Sequence, residues 1–206
     1  MSARNPIVYV VDDDASVRRS MTLLLKTHGY RTATFSCAAD FLAFDHPRGA
    51  ACLVLDVNLP GLDGPGLQDV LVRRAPAIPI VFITGHGTVP ISVKAMKLGA
   101  VDFLLKPFTA SDLLDAIRRA LLKATAWNKE FSEGTKIRQR IATLSPRELE
   151  VFHFVARGLL NKQIATRRGT SLQTIKVHRS RVMQKMRART VTELINLARK
   201  AGVAIA

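Results

Sequence analysis

Residues 7–11 read Ile-Val-Tyr-Val-Val, an apolar, β-branched run with no polar alternation. A strand with one face in water alternates apolar and polar residues, so a run of this kind belongs to a strand buried on both faces. Similar runs stand at residues 52–55, 80–83 and 103–105, with a weaker one at 32–35. Between them lie segments with helical spacing of apolar residues, at about 15–28, 38–44, 64–74, 90–98 and 111–124. Strands alternating with helices in this way predict an α/β domain, a doubly wound five-stranded parallel sheet covered by helices on both faces. In such a sheet, ligands bind beyond the carboxyl ends of the strands.

The unusual residues sit at those ends. The first strand is followed by Asp12, Asp13 and Asp14, the third ends in Asp56, the fourth in Thr84, and the fifth in Lys106 before Pro107. Clustered carboxylates repel one another unless a cation neutralises them, and an oxygen-only cluster that keeps several waters suits Mg²⁺. Thr84 and Lys106 then offer a hydrogen bond and a positive charge to an anion beside the metal. That combination suits phosphoryl transfer to a carboxylate, with Asp56 as the nucleophile. Each residue alone is ordinary, since an Asp after a strand is commonly a helix cap and Lys-Pro is common in loops. A flavodoxin-like cofactor binder shares the topology but needs a hydroxyl- and glycine-rich phosphate loop after the first strand, where three aspartates would repel phosphate.

The segments VVDDD (10–14), LVLDVNLPGLDG (53–64), IPIVFITGHG (78–87) and GAVDFLLKPF (99–108) resemble the receiver domains of two-component response regulators, the CheY/flavodoxin-like receiver fold. The resemblance covers about residues 6–124. It implies Asp56 as the phosphoacceptor, with Mg²⁺ held by Asp13, Asp56 and the main-chain carbonyl of Asn58, and Asp12 assisting through water. It further implies that Thr84 and Lys106 contact the phosphoryl oxygens and that Phe103 is the aromatic switch residue that follows Thr84. Without the family, Phe103 reads as a core aromatic on the last strand. The resemblance also implies that Gly85 keeps the approach to Asp56 open and that His86 and Asn58 lie at variable positions of the family that flank the site.

The net charge of +15 is unevenly divided: residues 1–127 hold 14 Lys/Arg against 11 Asp/Glu, and residues 128–206 hold 17 against 5. A block this basic and still rich in apolar residues reads as a folded polyanion-binding module, for which nucleic acid is the usual partner. The stretch from 125 to 143 loses clear periodicity and reads as a linker that extends the last receiver helix before breaking, between a domain at 1–124 and a smaller all-α four-helix domain at 144–206. Ser145-Pro146-Arg147-Glu148 is a capping box, Asn161 and Ser171 are candidate caps, and Thr190 with Glu193 forms another box. The second and third of these helices are separated by about three residues containing Gly169, which is helix-turn-helix spacing. The third carries Lys176, His178, Arg179, Arg181 and Lys185 around an apolar stripe of Ile175, Val182 and Met186, as a helix bound for the major groove should.

LSPRELEVFHFVARGLLNKQIA (144–165) and TIKVHRSRVMQKM (174–186) resemble the LuxR-type helix-turn-helix, and the whole chain is most similar to the FixJ branch of the NarL/FixJ response regulators. The resemblance implies that Lys176, Val177 and Ser180 face base edges, that Thr174, His178 and Arg181 contact phosphates, and that Lys185 belongs to the DNA-binding set. For Val177 the plainer reading is core packing, and for the basic residues a solvated helix face. His178 has no companion at metal-ligand spacing. The family usually carries leucine and isoleucine where this chain has Arg168 and Thr170. If both sites are buried, that loss costs a few kcal/mol and leaves the DNA-binding domain less stable than its relatives.

The resemblance implies a transcription regulator rather than an enzyme, its only catalysis being its own phosphoryl transfer and hydrolysis. A sensor histidine kinase phosphorylates Asp56, the receiver dimerises through its fourth helix and fifth strand with Val93, Lys94 and Lys97, and the basic domain is freed for promoter DNA and RNA polymerase. Two other readings compete: a receiver acting through protein contacts without DNA binding, and a receiver independent of phosphate. The basic domain weighs against the first and the intact Asp13, Asp56, Thr84 and Lys106 set against the second. No apolar run approaches the roughly 18 residues of a membrane span, and no signal-peptide pattern opens the chain, so no membrane association and a cytoplasmic location are expected. Cys37 and Cys52 read as buried free thiols.

Overall fold

The computed structural model describes residues 6–46, 49–73, 78–85 and 88–203, in two compact units, Met1–Lys129 and Glu130–Ala206. The first unit runs β1 (Ile7–Val11), α1 (Ala15–Thr27), β2 (Arg31–Phe35), α2 (Ala38–Ala43), β3 (Ala51–Asp56), α3 (Gly64–Val72), β4 (Ile80–Thr84), α4 (Val89–Lys97), β5 (Asp102–Leu105) and the start of α5 (Ala110–Ala142), whose residues from Glu130 on belong to the second unit. The strands form one parallel sheet in the order β2-β1-β3-β4-β5, the doubly wound topology expected.

The alternation of side chains along each strand divides the core into two layers. Tyr9, Val11, Leu53, Leu55 and Phe82 meet Phe41 of α2, Leu67 of α3 and Ala95 of α4. Val8, Val10, Cys52, Val54, Val81 and Ile83 meet Met21 and Leu25 of α1 and Leu113, Ile117 and Ala120 of α5. Both faces of β1, β3 and β4 are therefore filled, which is why these strands carry no polar alternation. Between β3 and α3 the chain folds tightly back on itself. The Gly64 N–H donates to the Val57 carbonyl at 3.0 Å. A Cβ at Gly64 would lie 2.4 Å from the Asp56 carbonyl oxygen and 3.1 Å from the Phe82 ring.

The stretch expected to break as a linker is helical through Ala142, so α5 extends well past the predicted end near residue 124. Its last turns are held by packing within the second unit: Ile137 is buried in that unit's core and Ile141 packs against it. Tertiary burial of one face stabilises a helix whose own sequence pattern is weak. Gly134 does not interrupt it, and a Cβ there would stand 3.4 Å from the Lys200 carbonyl oxygen.

The second unit continues with α6 (Pro146–Ala156), α7 (Asn161–Arg168), α8 (Leu172–Met186) and α9 (Val191–Lys200) around Phe152, Val155, Ile164, Ile175, Val182, Met186 and Leu194. The Ser145 capping box is present: the Glu148 N–H donates to Ser145 Oγ at 3.4 Å, and the Ser145 N–H donates to Glu148 Oε2 at 2.8 Å. Asn161 does not cap α7. The cap residue is Leu160, whose N–H donates to Gln163 Oε1 at 2.7 Å, and Asn161 is the first helical residue. At α9 the Thr190 hydroxyl accepts from the Glu193 N–H at 3.1 Å, but the Glu193 carboxylate reaches back to the Arg189 N–H at 2.8 Å rather than to Thr190. Gly169 ends α7 in the left-handed conformation, φ 60°.

Arg168 and Thr170 are not core positions. Arg168 Nη2 pairs with Glu150 Oε2 at 2.8 Å with its side chain 32% exposed, and Thr170 is half-buried. The cost of truncating two buried apolar side chains therefore does not apply.

Gly64→Ala forces a Cβ into the Asp56 carbonyl and should destabilise the first unit by about 1–3 kcal/mol, the usual range for overpacking, read as a lowered Tm in thermal denaturation. In the second unit, Glu148 is buried, and the hydrogen bond from Lys185, helped by the Ser145 N–H, holds its carboxyl down at about 2 instead of the ordinary 4.5. A carboxyl depressed on folding stabilises the fold above its unfolded value and loses that contribution as pH falls toward the folded one. The helical signal of the second unit should thus lose thermal stability between pH 4.5 and about 2. In Glu148→Gln that part of the pH dependence should flatten.

Candidate functional site

The strand register assembles the site. Val11 pairs with Leu55, so Asp12 comes level with Asp56 at the end of the neighbouring strand. Asp56 pairs with Ile83, and Thr84 pairs with Leu105, which brings Lys106 to the same rim. Lys106 Nζ donates to Asp12 Oδ2 at 2.8 Å and to Asp56 Oδ1 at 3.0 Å. The second oxygen of Asp56 accepts from the Asn58 N–H at 2.8 Å. Asp12 is fully buried and Asp56 is 5% exposed.

Burial pushes the Asp56 carboxyl above its ordinary range, against the opposing pull of Lys106 and of the Asn58 N–H. Burial also disfavours the Lys106 cation, but its hydrogen bonds to Asp12 and Asp56 outweigh this and hold it above the usual lysine value. The two carboxylates and the ammonium thus form one coupled charge group.

The three consecutive aspartates divide their work. Asp12 faces Lys106, Asp13 is exposed, and Asp14 caps α1 by accepting from the Ser16 N–H at 2.7 Å. Sequence reasoning passed over Arg18, whose Nη1 donates to the carbonyls of Asp12 and Asp13 at 2.7 and 2.8 Å and secures this turn. Nothing in the motif marks it. Among the described residues no three His, Cys, Asp or Glu side chains gather closely enough to hold a metal unaided. Asp13, Asp56 and the Asn58 carbonyl are oxygen donors that leave room for water, the donor chemistry Mg²⁺ accepts.

Thr84 is buried at the end of β4, and its carbonyl accepts from the Lys106 N–H at 2.7 Å. Phe103 is half-buried, its ring 5.9 Å from that of Phe82. Among the described residues, nothing lies within 4 Å of a Cβ built on Gly85. His86 lies outside the described residues. Val93, Lys94 and Lys97 are all exposed on α4, and the same surface shows Val89, Met96 and, on β5, Leu105, which sequence pattern alone did not single out. Cys52 is buried, its thiol pushed far up by burial, and Cys37 is half-buried before α2; neither is in a disulfide.

On α8, Thr174, Lys176, Val177, Ser180 and Arg181 are exposed, while Ile175, Val182 and Met186 are buried. Val177 is 41% exposed, so core packing does not account for it. His178 is half-buried, with a buried Nδ1 that has no hydrogen-bond partner among the described residues. The Lys185 ammonium donates to Glu148 Oε2 at 2.6 Å and to the Thr143 carbonyl at 3.0 Å, because a buried carboxylate at the α6 cap requires a cation. Arg179 also turns inward, to Asn161 Oδ1 at 2.6 Å.

Comparison with known proteins finds the same two domains. Residues 8–118 match the response regulator receiver domain and residues 142–198 the family of bacterial regulatory proteins of the luxR type. Nodulation protein W of Bradyrhizobium diazoefficiens is 45% identical over 96% of this chain and 87% of its own length. The transcriptional regulatory protein FixJ of the same species is 42% identical over 95% of this chain and 96% of its own. The response regulator StyR structure shares 43% identity with a TM-score of 0.77, covering 95% of this chain and 99% of that one. Full-length FixJ from B. japonicum shares 40% identity with a TM-score of 0.55 over 98% of this chain and all of that one. A receiver fold whose strand ends carry Asp12, Asp56, Thr84 and Lys106, followed by a LuxR-type helix-turn-helix, places this chain in the FixJ-like family of two-component response regulators.

Proposed function

We propose that Asp56 is the phosphoacceptor and that its phosphorylation controls promoter binding by α8. The observation that carries this reading is the Lys106 ammonium between Asp12 and Asp56 at the open end of the sheet. The donor is a phosphohistidine of a sensor kinase. An Asp56 oxygen attacks its phosphorus, the P–N bond breaks, and the phosphoryl group ends on the carboxylate. Asp13, Asp56 and the Asn58 carbonyl, with Asp12 through water, would hold Mg²⁺, and the ion would supply neutralising charge for the incoming dianion. Lys106 exchanges its contact with Asp56 for a phosphoryl oxygen, and Thr84 donates its hydroxyl to another.

The second step is a change of surface. Thr84 and Phe103 lie on adjacent strands, so movement of Thr84 toward a phosphoryl oxygen frees space for the half-buried ring. The α4–β5 surface with Val93, Lys94 and Lys97, enlarged by Val89, Met96 and Leu105, is the dimer face. The dimer then presents α8 to promoter DNA in the cytoplasm and works with RNA polymerase. Among the described residues no helix is long and apolar enough to cross a membrane. On α8, Thr174, His178 and Arg181 contact phosphates, and Lys176, Val177 and Ser180 face base edges. This outward row of α8 favours DNA binding over a receiver that acts by protein contacts alone.

Acetyl phosphate with Mg²⁺ should phosphorylate the chain at Asp56, mapped by peptide mass, and beryllofluoride should shift its sedimentation from monomer toward dimer. Full incorporation into Asp56→Asn, full incorporation with excess chelator, or identical sedimentation of both forms would count against the proposal. On DNA, Arg181→Ala should weaken binding to all duplexes and flatten the slope of log K against log salt by about 0.9. Lys176→Ala should instead change the preferred sequence, with about 1–3 kcal/mol less discrimination at one base pair. Indistinguishable effects of the two would refute the assignment of α8.

A further inference from the structure

Three basic side chains of α7 and α8 turn back into the domain and join helices in pairs. Arg168 of α7 meets Glu150 of α6 at 2.8 Å, Arg179 of α8 donates to Asn161 of α7 at 2.6 Å, and Lys185 of α8 meets Glu148 of α6 at 2.6 Å. The links close a circuit through α6, α7 and α8. They are unequal. Arg168–Glu150 is exposed enough for solvent to screen it, and such pairs contribute little. Lys185 answers the buried cap carboxylate. The Arg179 link is part-buried and charge-assisted, and it starts from the middle of α8.

Its place on the helix gives it a role. At about 100° per residue, Arg179 points roughly 200° away from both Val177 and Arg181, which share the outward face. A side chain anchored on that inner side sets how α8 is rotated against α7. We propose that Arg179 is a positioning residue for sequence reading: through Asn161 it holds Lys176, Val177 and Ser180 at the orientation base edges require, and it makes no phosphate contact itself. This rests on the reading of α8 as the recognition helix. Hydrogen bonds to base edges fail with small misplacement, whereas attraction to phosphates varies smoothly with distance. Loss of the link therefore falls on specificity more than on general affinity.

The test uses the full chain, the duplex that the wild type selects from a random-sequence pool, and a scrambled duplex of the same composition. Arg179→Met should lose about tenfold on the selected duplex, the worth of one good base contact, and at most about twofold on the scrambled one. Its salt slope should match the wild type, although a positive charge has gone. Asn161→Ala, which keeps every charge, should show the same pattern. The double variant should be no worse than the weaker single, and Arg179→Lys should recover part of the loss. A slope flattened by about 0.9 with equal losses on both duplexes, as for Arg181→Ala, would show a direct phosphate contact and overturn the proposal. So would wild-type behaviour of Asn161→Ala, or multiplicative losses in the double variant. If circular dichroism shows Arg179→Met unfolded, Asn161→Ala and Arg179→Lys decide the matter. If Arg181→Ala changes nothing on either duplex, the assignment of α8 itself fails, an outcome separable from failure of the Arg179 link.

Discussion

Two carboxylates, Asp12 and Asp56, lie almost entirely out of water, and one ammonium serves both. Removing a carboxylate from water is costly unless it is paired and its remaining oxygens accept hydrogen bonds. Lys106 meets the first requirement for both residues, and the Asn58 and Asp14 N–H groups meet the second. The contact spans 94 residues to Asp12 and 50 to Asp56, so it depends on the register of four strands. The site is therefore a property of the whole sheet. In the function proposed above, an incoming phosphoryl group would offer Lys106 an alternative partner of greater charge.

The second unit handles charge differently. Its excess of basic residues reads as a single electrostatic property, but the fold splits them into two groups. Arg181 and Lys176 point away from the domain, whereas Arg168, Arg179 and Lys185 are engaged by acceptors on neighbouring helices. Net charge consequently overstates the cation count available to a phosphate backbone. The same division answers the question of Arg168: a position expected to weaken the core carries a surface ion pair between α6 and α7.

The fold was legible because burial leaves a local record. Uninterrupted apolar runs marked the strands, capping residues marked the starts of α6, α8 and α9, and the charged residues at strand ends are the ones the sheet brings together. The misreadings share a cause. The continuation of α5 to Ala142 rests on Ile137 and Ile141 packing into a core formed mainly by residues more than a few turns away. Asn161 resembles a cap in composition, yet its side chain is drawn to Arg179, 18 residues on. Arg18 leaves no trace in any motif, because its partners are main-chain carbonyls.

From the chain alone came the identity of the strands, the residues at their ends and the division into an α/β half and a basic helical half, since backbone propensity, periodicity and capping are short-range. Only the tertiary structure decided which aspartate faces Lys106, which basic residues of α8 turn inward and which apolar residues of α4 remain exposed. Long side chains can reach in many directions, and the choice is made by whichever acceptor or apolar surface a distant segment brings within a few ångströms.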